Sequence, residues 1–181
     1  MIIGITGKLE SGKTTTANFL KEFHPVKCKI AFADLLKEMI INSGLCKREE
    51  LYENKTDFSR LMMQKIGTEI IRQQVSKDFW VEKMRDRICN AFTHYQIKGK
   101  DFLIVIDDIR FLNEAKLVQQ FQGKIVKIHR DKDDSQLNSF STHLSETELD
   151  LINPDYTIIN NKSLEDLKVS VKYMLEYFLK E

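Results

Sequence analysis

Gly7, Gly12, Lys13 and Thr14 have the spacing of a loop that holds phosphate groups. They fit the pattern G-x-x-x-x-G-K-[ST], which follows a short apolar run and precedes a predicted helix over 14–23. In such a P-loop the glycines turn backbone N–H groups toward the phosphate, the lysine reaches the β- and γ-phosphates, and the threonine hydroxyl binds Mg²⁺. The pattern therefore predicts binding of a nucleoside triphosphate and leaves the fate of its γ-phosphate open.

Other polar residues follow predicted strands. Asp107 comes directly after the strongest strand signal, the apolar run 102–106. An aspartate at this place resembles a Walker-B acid, which holds Mg²⁺ through water or accepts a proton or hydrogen bond from the attacking group. Asp34, Arg130 and Asn160 also lie at or just past strand ends. Because the carboxyl ends of parallel strands share one edge, the pattern predicts a ligand site there.

Several cations are candidates for binding a second phosphate, because a guanidinium matches two phosphate oxygens. Arg110 and Arg130 follow strand ends, Arg72 lies in a helical stretch, and Lys37 lies in the first helix after the second strand. Each could instead be a solvated surface charge, and Lys37 could pair across its helix. Trp80, the one tryptophan, either stacks on a nucleobase or anchors the surrounding helices.

Composition excludes several classes of function. The chain has 181 residues, of which 30% are charged, yet the formal net charge is only +1. Without a block of like charge, a polynucleotide partner is not favoured. No signal peptide is visible and no apolar run approaches the ~18 residues of a membrane span. Cys28, Cys46 and Cys89 lack metal-site spacing and are predicted to be free thiols in a reducing cytoplasm.

The order of elements predicts an α/β fold. Strands alternate with helices, which implies a parallel sheet with helices on both faces. The stretch between the second and third strands is almost wholly helical and is predicted to be an insertion forming one wall of a cleft. The polar stretch 130–147 predicts a mobile flap. The predicted strands are 2–5, 26–31, 102–106, 124–129 and 156–159.

Helical periodicity predicts helices over 33–41, 58–74, 79–97 and 111–121, and Ser163 to Asp166 resembles a capping box before a terminal helix. The predicted buried face of 58–74 carries Leu61, Met62, Ile66, Ile70 and Ile71, and that of 79–97 carries Val81, Met84, Ile88, Ala91 and Phe92.

Besides the P-loop, five stretches carry a resemblance to a known family: Phe32–Lys37, Gly67–Arg72, Asp78–Val81, Asp107–Glu114 and Asp155–Asn161. Together with the P-loop, these stretches resemble the deoxynucleoside monophosphate kinases of tailed bacteriophages, within the P-loop nucleoside monophosphate kinase superfamily. The resemblance covers nearly the whole chain and implies the three-layer sandwich of P-loop NTPases, with a five-stranded parallel sheet. It implies a single domain, 1–181, with a helical monophosphate-binding insertion at 33–98 and a lid at 130–147.

The resemblance implies transfer of the γ-phosphate of ATP to a deoxynucleoside 5′-monophosphate, with Mg²⁺ as cofactor. Small-molecule nucleotides are then the expected partners, in the cytoplasm (of a host cell, if the protein is viral), and a homodimer stays open. The implied catalytic residues are Lys13, Arg72, Asp107 and Arg110, with Thr14 and Asp107 at Mg²⁺. The implied ATP-binding residues are Gly7, Lys8, Ser11, Gly12, Lys13, Thr14, Thr15, Arg130, Asn160 and Asn161. The implied acceptor-binding residues are Asp34, Lys37, Arg72, Trp80 and Arg110.

Two alternatives stay open. Dephospho-coenzyme A kinases and animal phosphomevalonate kinases share this layout, and the stretch 143–146, which includes His143, is similar to the latter. The flap also departs from arginine-rich kinase lids, since only Arg130 and Lys132 in it are basic. The other alternative is a nucleotide-binding switch without an acceptor. Its GTPase form requires an N-K-x-D motif, which Asn54–Asp57 matches only by chance, because it lies before the third strand.

Overall fold

A computed structural model describes residues 1–24, 26–96, 102–131 and 148–180. Within these ranges five parallel strands form one sheet in the order β2-β3-β1-β4-β5. The central strand β1 therefore pairs with β3 on one side and β4 on the other. The predicted parallel sheet is confirmed. Its strands are β1 (Ile2–Thr6), β2 (Val26–Ile30), β3 (Leu103–Ile109), β4 (Lys124–His129) and β5 (Tyr156–Ile159).

Helices connect the strands and fill the long stretch between β2 and β3. None of the helices in the described ranges combines the length and the apolar character that a membrane crossing requires. The helices are α1 (Lys13–Phe23), α2 (Ala33–Asn42), α3 (Arg48–Tyr52), α4 (Asp57–Gln64), a π-helix (Lys65–Val75), α5 (Phe79–Gln96), α6 (Leu112–Gln120), a 3₁₀-helix (Glu148–Leu151) and α7 (Leu164–Phe178).

The chain divides into two compact units. The sheet unit comprises Met1–Ile30 and Ala91–Glu181, and the helical unit comprises Ala31–Asn90. The sheet unit holds all five strands with α1, α6 and α7, and the helical unit holds α2, α3, α4, the π-helix and most of α5. A single domain with an insertion at 33–98 stays a prediction.

Helices cover both faces of the sheet. On one face Ile3 and Ile5 of β1 pack in a buried cluster with Leu20 of α1 and Val171 of α7. The other face is covered by α6, which approaches so closely that a Cβ added at Gly4 would lie 3.3 Å from Val118 Cγ2. The predicted three-layer arrangement is confirmed.

The helical unit departs from the expected continuous α-helix over 58–74. The α-helical winding ends at Gln64, and the Ser76 N–H donates to the Ile71 carbonyl five residues earlier, at 2.8 Å. A turn closed by such bonds presents different residues to the core than an α-helical turn does. Ile70 of the π-helix is 45% exposed, and Leu61 of the preceding α4 is 41% exposed, so their predicted burial is wrong. The buried residues of the π-helix are Gly67, Thr68 and Arg72.

The terminal helix α7 begins with the predicted capping box. Ser163 Oγ accepts the Asp166 N–H at 3.2 Å, and Asp166 Oδ2 accepts the Ser163 N–H at 3.2 Å. The hydrogen bonds from Ser163 hold the pKa of the Asp166 carboxyl below its usual value. Because the folded pKa is depressed, this contribution to stability is present above the unfolded pKa and is lost as the pH falls through the folded pKa.

We expect Ser163→Ala to lower the unfolding free energy at neutral pH by about 1 kcal/mol, because it removes the N-cap. The deficit relative to wild type should shrink as the pH falls below the ordinary aspartate pKa of about 3.9 and through the lower pKa that Asp166 has in the folded wild type. Urea unfolding at several pH values measures both effects. Ser170→Ala is the matched control, since this hydroxyl donates to a carbonyl within α7. A deficit that is constant with pH would contradict the coupling to Asp166.

Candidate active site

The P-loop has a backbone that excludes side chains at its two glycines. Gly7 has φ of 146° and Gly12 has φ of 107°, both in the region that L-residues rarely adopt. A Cβ added at Gly7 would lie 2.4 Å from the Ile128 carbonyl oxygen of β4. A Cβ added at Gly12 would lie 2.5 Å from Asn160 Nδ2. The spacing seen in the sequence is therefore required by contacts with β4 and with the end of β5.

Two buried hydroxyls lie in this region, one in the loop and one in α1. Ser11 Oγ and Thr16 Oγ1 are buried, and neither has a hydrogen-bond partner within the part of the chain that the structure describes. A buried polar atom without a partner costs about 1–3 kcal/mol, so such atoms are rare outside functional sites. Phosphate oxygens are the acceptors that hydroxyl groups in a P-loop meet.

Lys13 begins α1 and folds its side chain back over the loop. Its ammonium donates to the carbonyl oxygens of Gly7 at 2.6 Å and Lys8 at 2.7 Å. The predicted ATP residues of this segment thus lie together. Thr14 is exposed and Thr15 is half-buried in the first turn of α1, whose amino end favours an anion.

Asp107 forms an ion pair that the sequence does not predict. It lies within β3, which continues two residues beyond it to Ile109, and its carboxylate is buried. Lys29 Nζ on the neighbouring strand β2 lies 2.8 Å from Asp107 Oδ2. The sequence signal for Lys29 is a charge at the penultimate position of an otherwise partly apolar strand, and the pairing depends on the register between β2 and β3.

Asn160 and Asn161 occupy different environments just past β5. Asn160 is buried, and its Nδ2 donates to the Ser11 carbonyl at 2.8 Å, which fastens the P-loop to the end of β5. Asn161 Oδ1 instead accepts the Asp131 N–H at 2.8 Å. Arg130, between β4 and Asp131, is exposed. The first asparagine thus supports the loop backbone, and a contact of either with adenine stays a prediction.

In the helical unit, Trp80 and Arg72 are both buried. Trp80 is 5% exposed, and its Nε1 donates to the Gly67 carbonyl of the π-helix at 2.9 Å. Arg72 is 6% exposed, and its Nη1 donates to the Lys77 carbonyl at 3.2 Å. For Trp80 this arrangement favours the alternative in which the ring anchors helices, and stacking on a base stays a prediction.

Asp34 and Lys37 lie in a network around the start of α2. Asp34 Oδ2 accepts the Ala31 N–H at 2.9 Å and lies 3.4 Å from Arg87 Nη2. Lys37 Nζ lies 4.2 Å from the centroid of the Tyr52 ring, in a cation–π contact. Burial, and secondly the charge of Asp34, raises the pKa of the Tyr52 hydroxyl. The sequence predicted that Lys37 either binds a substrate phosphate or pairs across its helix surface, and the contact with Tyr52 is neither of these.

Arg110 follows β3 directly, and its backbone N–H donates to Glu114 Oε2 at 2.9 Å.

The predicted flap lies outside the described residues over 132–147, together with Lys132 and His143. Within the described ranges, no group of three or more His, Cys, Asp and Glu side chains is arranged to hold a metal ion. The three cysteines are free thiols, and burial raises the pKa of Cys46.

The fold and the loop define the class of the protein. A P-loop that joins the central strand of a parallel sheet to a helix is the arrangement of P-loop nucleotide-binding proteins. Residues 45–171 match the family model described as deoxynucleotide monophosphate kinase. The match covers more than half of the chain, which therefore belongs to the deoxynucleotide monophosphate kinase family.

Individual relatives agree with this assignment. A candidate deoxynucleotide monophosphate kinase from Acanthamoeba polyphaga mimivirus is 31% identical, over 92% of this chain and 91% of the relative. The deoxynucleotide monophosphate kinase of Enterobacteria phage T4 is 26% identical over 87% of this chain, which spans 63% of the phage protein. Among solved structures, a dephospho-CoA kinase from Campylobacter jejuni superposes with a TM-score of 0.56 at 16% identity, covering 99% of this chain and 97% of its own. The last similarity concerns the fold alone.

We expect Gly12→Ala to weaken ATP binding about tenfold or more. The substitution adds strain of about 1–2 kcal/mol at this φ and forces Asn160 away from the Ser11 carbonyl. Isothermal titration with ATP measures the affinity. Gly44→Ala is the control, because Gly44 has φ of 76° but an added Cβ meets no described atom within 4 Å. Equal effects of the two variants on ATP affinity would contradict this description of the loop.

A second prediction separates the two roles of Trp80. Trp80→Phe keeps an aromatic ring and leaves the buried Gly67 carbonyl without its indole donor. We expect the unfolding free energy to fall by about 1–3 kcal/mol, with the KM for the acceptor changed less than about twofold. Urea unfolding and steady-state kinetics measure the two quantities. A raised acceptor KM with unchanged stability would instead assign the ring to the substrate.

Proposed function

We propose that the protein transfers the γ-phosphate of ATP to a deoxynucleoside 5′-monophosphate, giving ADP and the deoxynucleoside diphosphate. The observation that carries the proposal is the loop between Gly7 and Gly12, which has no room for a Cβ at either glycine and holds the buried Ser11 hydroxyl without a partner among the described residues. Membership of the deoxynucleotide monophosphate kinase family, and the names of the relatives, support the choice of acceptor.

On the donor side, the P-loop residues hold the triphosphate. Backbone N–H groups of the loop and the amino end of α1 bind the β- and γ-phosphate oxygens. Lys13 exchanges its bonds with the Gly7 and Lys8 carbonyls for bonds with these oxygens when ATP binds. Lys8, Thr15, Arg130, Asn160 and Asn161 complete the proposed ATP-binding set.

In the chemical step, an oxygen of the acceptor monophosphate attacks the γ-phosphorus, and the bond from that phosphorus to the β,γ-bridging oxygen breaks. The electron pair of this bond leaves with ADP. Negative charge spreads over the transferring group, and cationic side chains lower its energy. We assign this role to Lys13 and Arg110. We assign recognition of the acceptor to Arg72, Asp34 and Lys37, with Arg110 also contributing to it, and Trp80 supports these residues by anchoring the surrounding helices.

Thr14 and Asp107 are the proposed residues for Mg²⁺. A hydroxyl and a carboxylate are hard oxygen ligands of the kind this ion prefers. When bound, Mg²⁺ would neutralise charge on the β- and γ-phosphates. Because Lys29 engages Asp107 Oδ2, the carboxylate is oriented by β2, and its other oxygen would hold the ion through water. Since nucleotides are metabolites of the cytoplasm, we place the reaction there.

The test measures ADP release with a panel of acceptors: the deoxynucleoside monophosphates, their ribose counterparts, dephospho-coenzyme A and phosphomevalonate. We expect acceleration with at least one deoxynucleoside monophosphate. If only dephospho-coenzyme A or only phosphomevalonate accelerates ADP release, the protein is instead a kinase for that compound. Tight ATP or GTP binding that no acceptor converts to turnover would indicate a nucleotide switch.

Within this assay, we expect Lys13→Met to lower kcat by about 10²–10³-fold, because it removes a cation from the transferring phosphate. Lys21→Met is the matched control, since Lys21 lies exposed in the last turn of the same helix. This control should retain wild-type kcat. A Lys13→Met enzyme with kcat within threefold of wild type would rule out the assigned role.

A further inference from the structure

Glu114 is a buried carboxylate that makes one hydrogen bond more than capping of its helix requires. It lies in the first turn of α6 and is 3% exposed. Its Oε2 accepts the Phe111 N–H at 3.2 Å, as a carboxylate at the third position of a helix commonly does. The same oxygen also accepts the Arg110 N–H at 2.9 Å, one residue before the helix cap. The shorter bond therefore holds the backbone of the arginine itself.

The peptide group that joins Ile109 to Arg110 is held at its other end as well. Thr6 Oγ1 donates to the Ile109 carbonyl at 3.0 Å, and Thr6 is fully buried. Thr6 ends β1 and directly precedes Gly7 of the P-loop. Both polar atoms of this peptide group are thus fixed, the carbonyl by β1 and the N–H by α6. A fixed peptide plane restricts the direction in which the Arg110 side chain leaves the backbone.

A second carboxylate occupies the next N–H group of the same turn. Glu148 Oε2, on the 3₁₀-helix, accepts the Leu112 N–H at 3.3 Å. The amino end of a helix would ordinarily attract a phosphate through such N–H groups. Here Glu114 and Glu148 take those of Arg110, Phe111 and Leu112. These three backbone donors are therefore engaged by carboxylates of the chain itself.

From this arrangement we propose that Glu114 is a positioning residue for Arg110, acting together with Thr6 through the Ile109–Arg110 peptide group. Glu114 touches neither substrate. It fixes the backbone from which Arg110 reaches the transferring phosphate, and this part rests on the proposed function. The burial of Glu114 strengthens this role, because a charge with so little exposure has to keep its hydrogen bonds.

The test is a double-mutant cycle with Glu114→Gln and Arg110→Ala, using the best acceptor of the panel. Glu114→Gln keeps the size of the side chain and removes its charge. We expect it to lower kcat about tenfold, because small misplacements of a catalytic group are costly, while the KM for ATP stays within twofold. In the Arg110→Ala background the same change should alter kcat less than twofold. An equal loss in both backgrounds, or no loss in the first, would overturn the proposal.

Two further variants separate positioning from general destabilisation. Thr6→Val acts on the opposite end of the same peptide group and should show the same dependence on Arg110; a loss that persists in Arg110→Ala would count against the proposal. Glu165→Gln, an exposed glutamate on α7, is the control for loss of a negative charge and should keep wild-type kinetics.

A measurement without substrate distinguishes failure of this inference from failure of the proposed function. Amide hydrogen exchange, read by NMR at Arg110, should be slow in the wild type and at least about tenfold faster in Glu114→Gln, because the neutral amide oxygen accepts a weaker hydrogen bond than the carboxylate does. Unchanged exchange would refute the positioning contact even if the enzyme is active. Faster exchange in a protein that phosphorylates no acceptor would uphold the contact and refute the proposed function.

Discussion

Phosphate recognition in this protein depends on a backbone that has no room for side chains at two places. At Gly7 the obstacle is a carbonyl of β4, and at Gly12 it is the amide of Asn160. Both obstacles belong to elements far along the chain, so the exclusion of side chains at these glycines depends on β4 and the end of β5 lying close to the loop. The pairing of β1 with β4, and of β4 with β5, brings them there. The loop therefore depends both on its local glycine motif and on the order of the strands in the sheet.

Buried carboxylates in the sheet unit are paired or hydrogen-bonded with groups outside their own strand or helix. Asp107 on β3 meets Lys29 on β2, and Glu114 on α6 meets the backbone at Arg110. A carboxylate removed from water is destabilising unless it is paired or hydrogen-bonded. Each of these contacts therefore offsets a cost of burial and at the same time orients a residue assigned to phosphate chemistry. Stability and chemical arrangement are supplied by the same bonds.

Local patterns predicted much of this structure, and contacts between distant residues explain what they missed. The P-loop, the continuous apolar β3 and the capping box at Ser163 follow from neighbours in sequence. The strand register that brings Lys29 to Asp107 does not, because many pairings would satisfy the same apolar pattern. Nor does the π-helix, since apolar spacings of three and four residues fit α-helical winding equally well. The anchoring of Trp80 depends on a carbonyl 13 residues earlier.

The position of Trp80 also determines which part of the protein its tryptophan fluorescence reports on. It is the one tryptophan of the chain, and it lies buried in the helical unit. Emission excited at wavelengths selective for indole therefore arises from that unit alone. Far-ultraviolet circular dichroism, in contrast, averages over helices and strands of both units. Unfolding curves that coincide by the two methods would show that the units unfold cooperatively, and curves that separate would give the stability of the helical unit by itself.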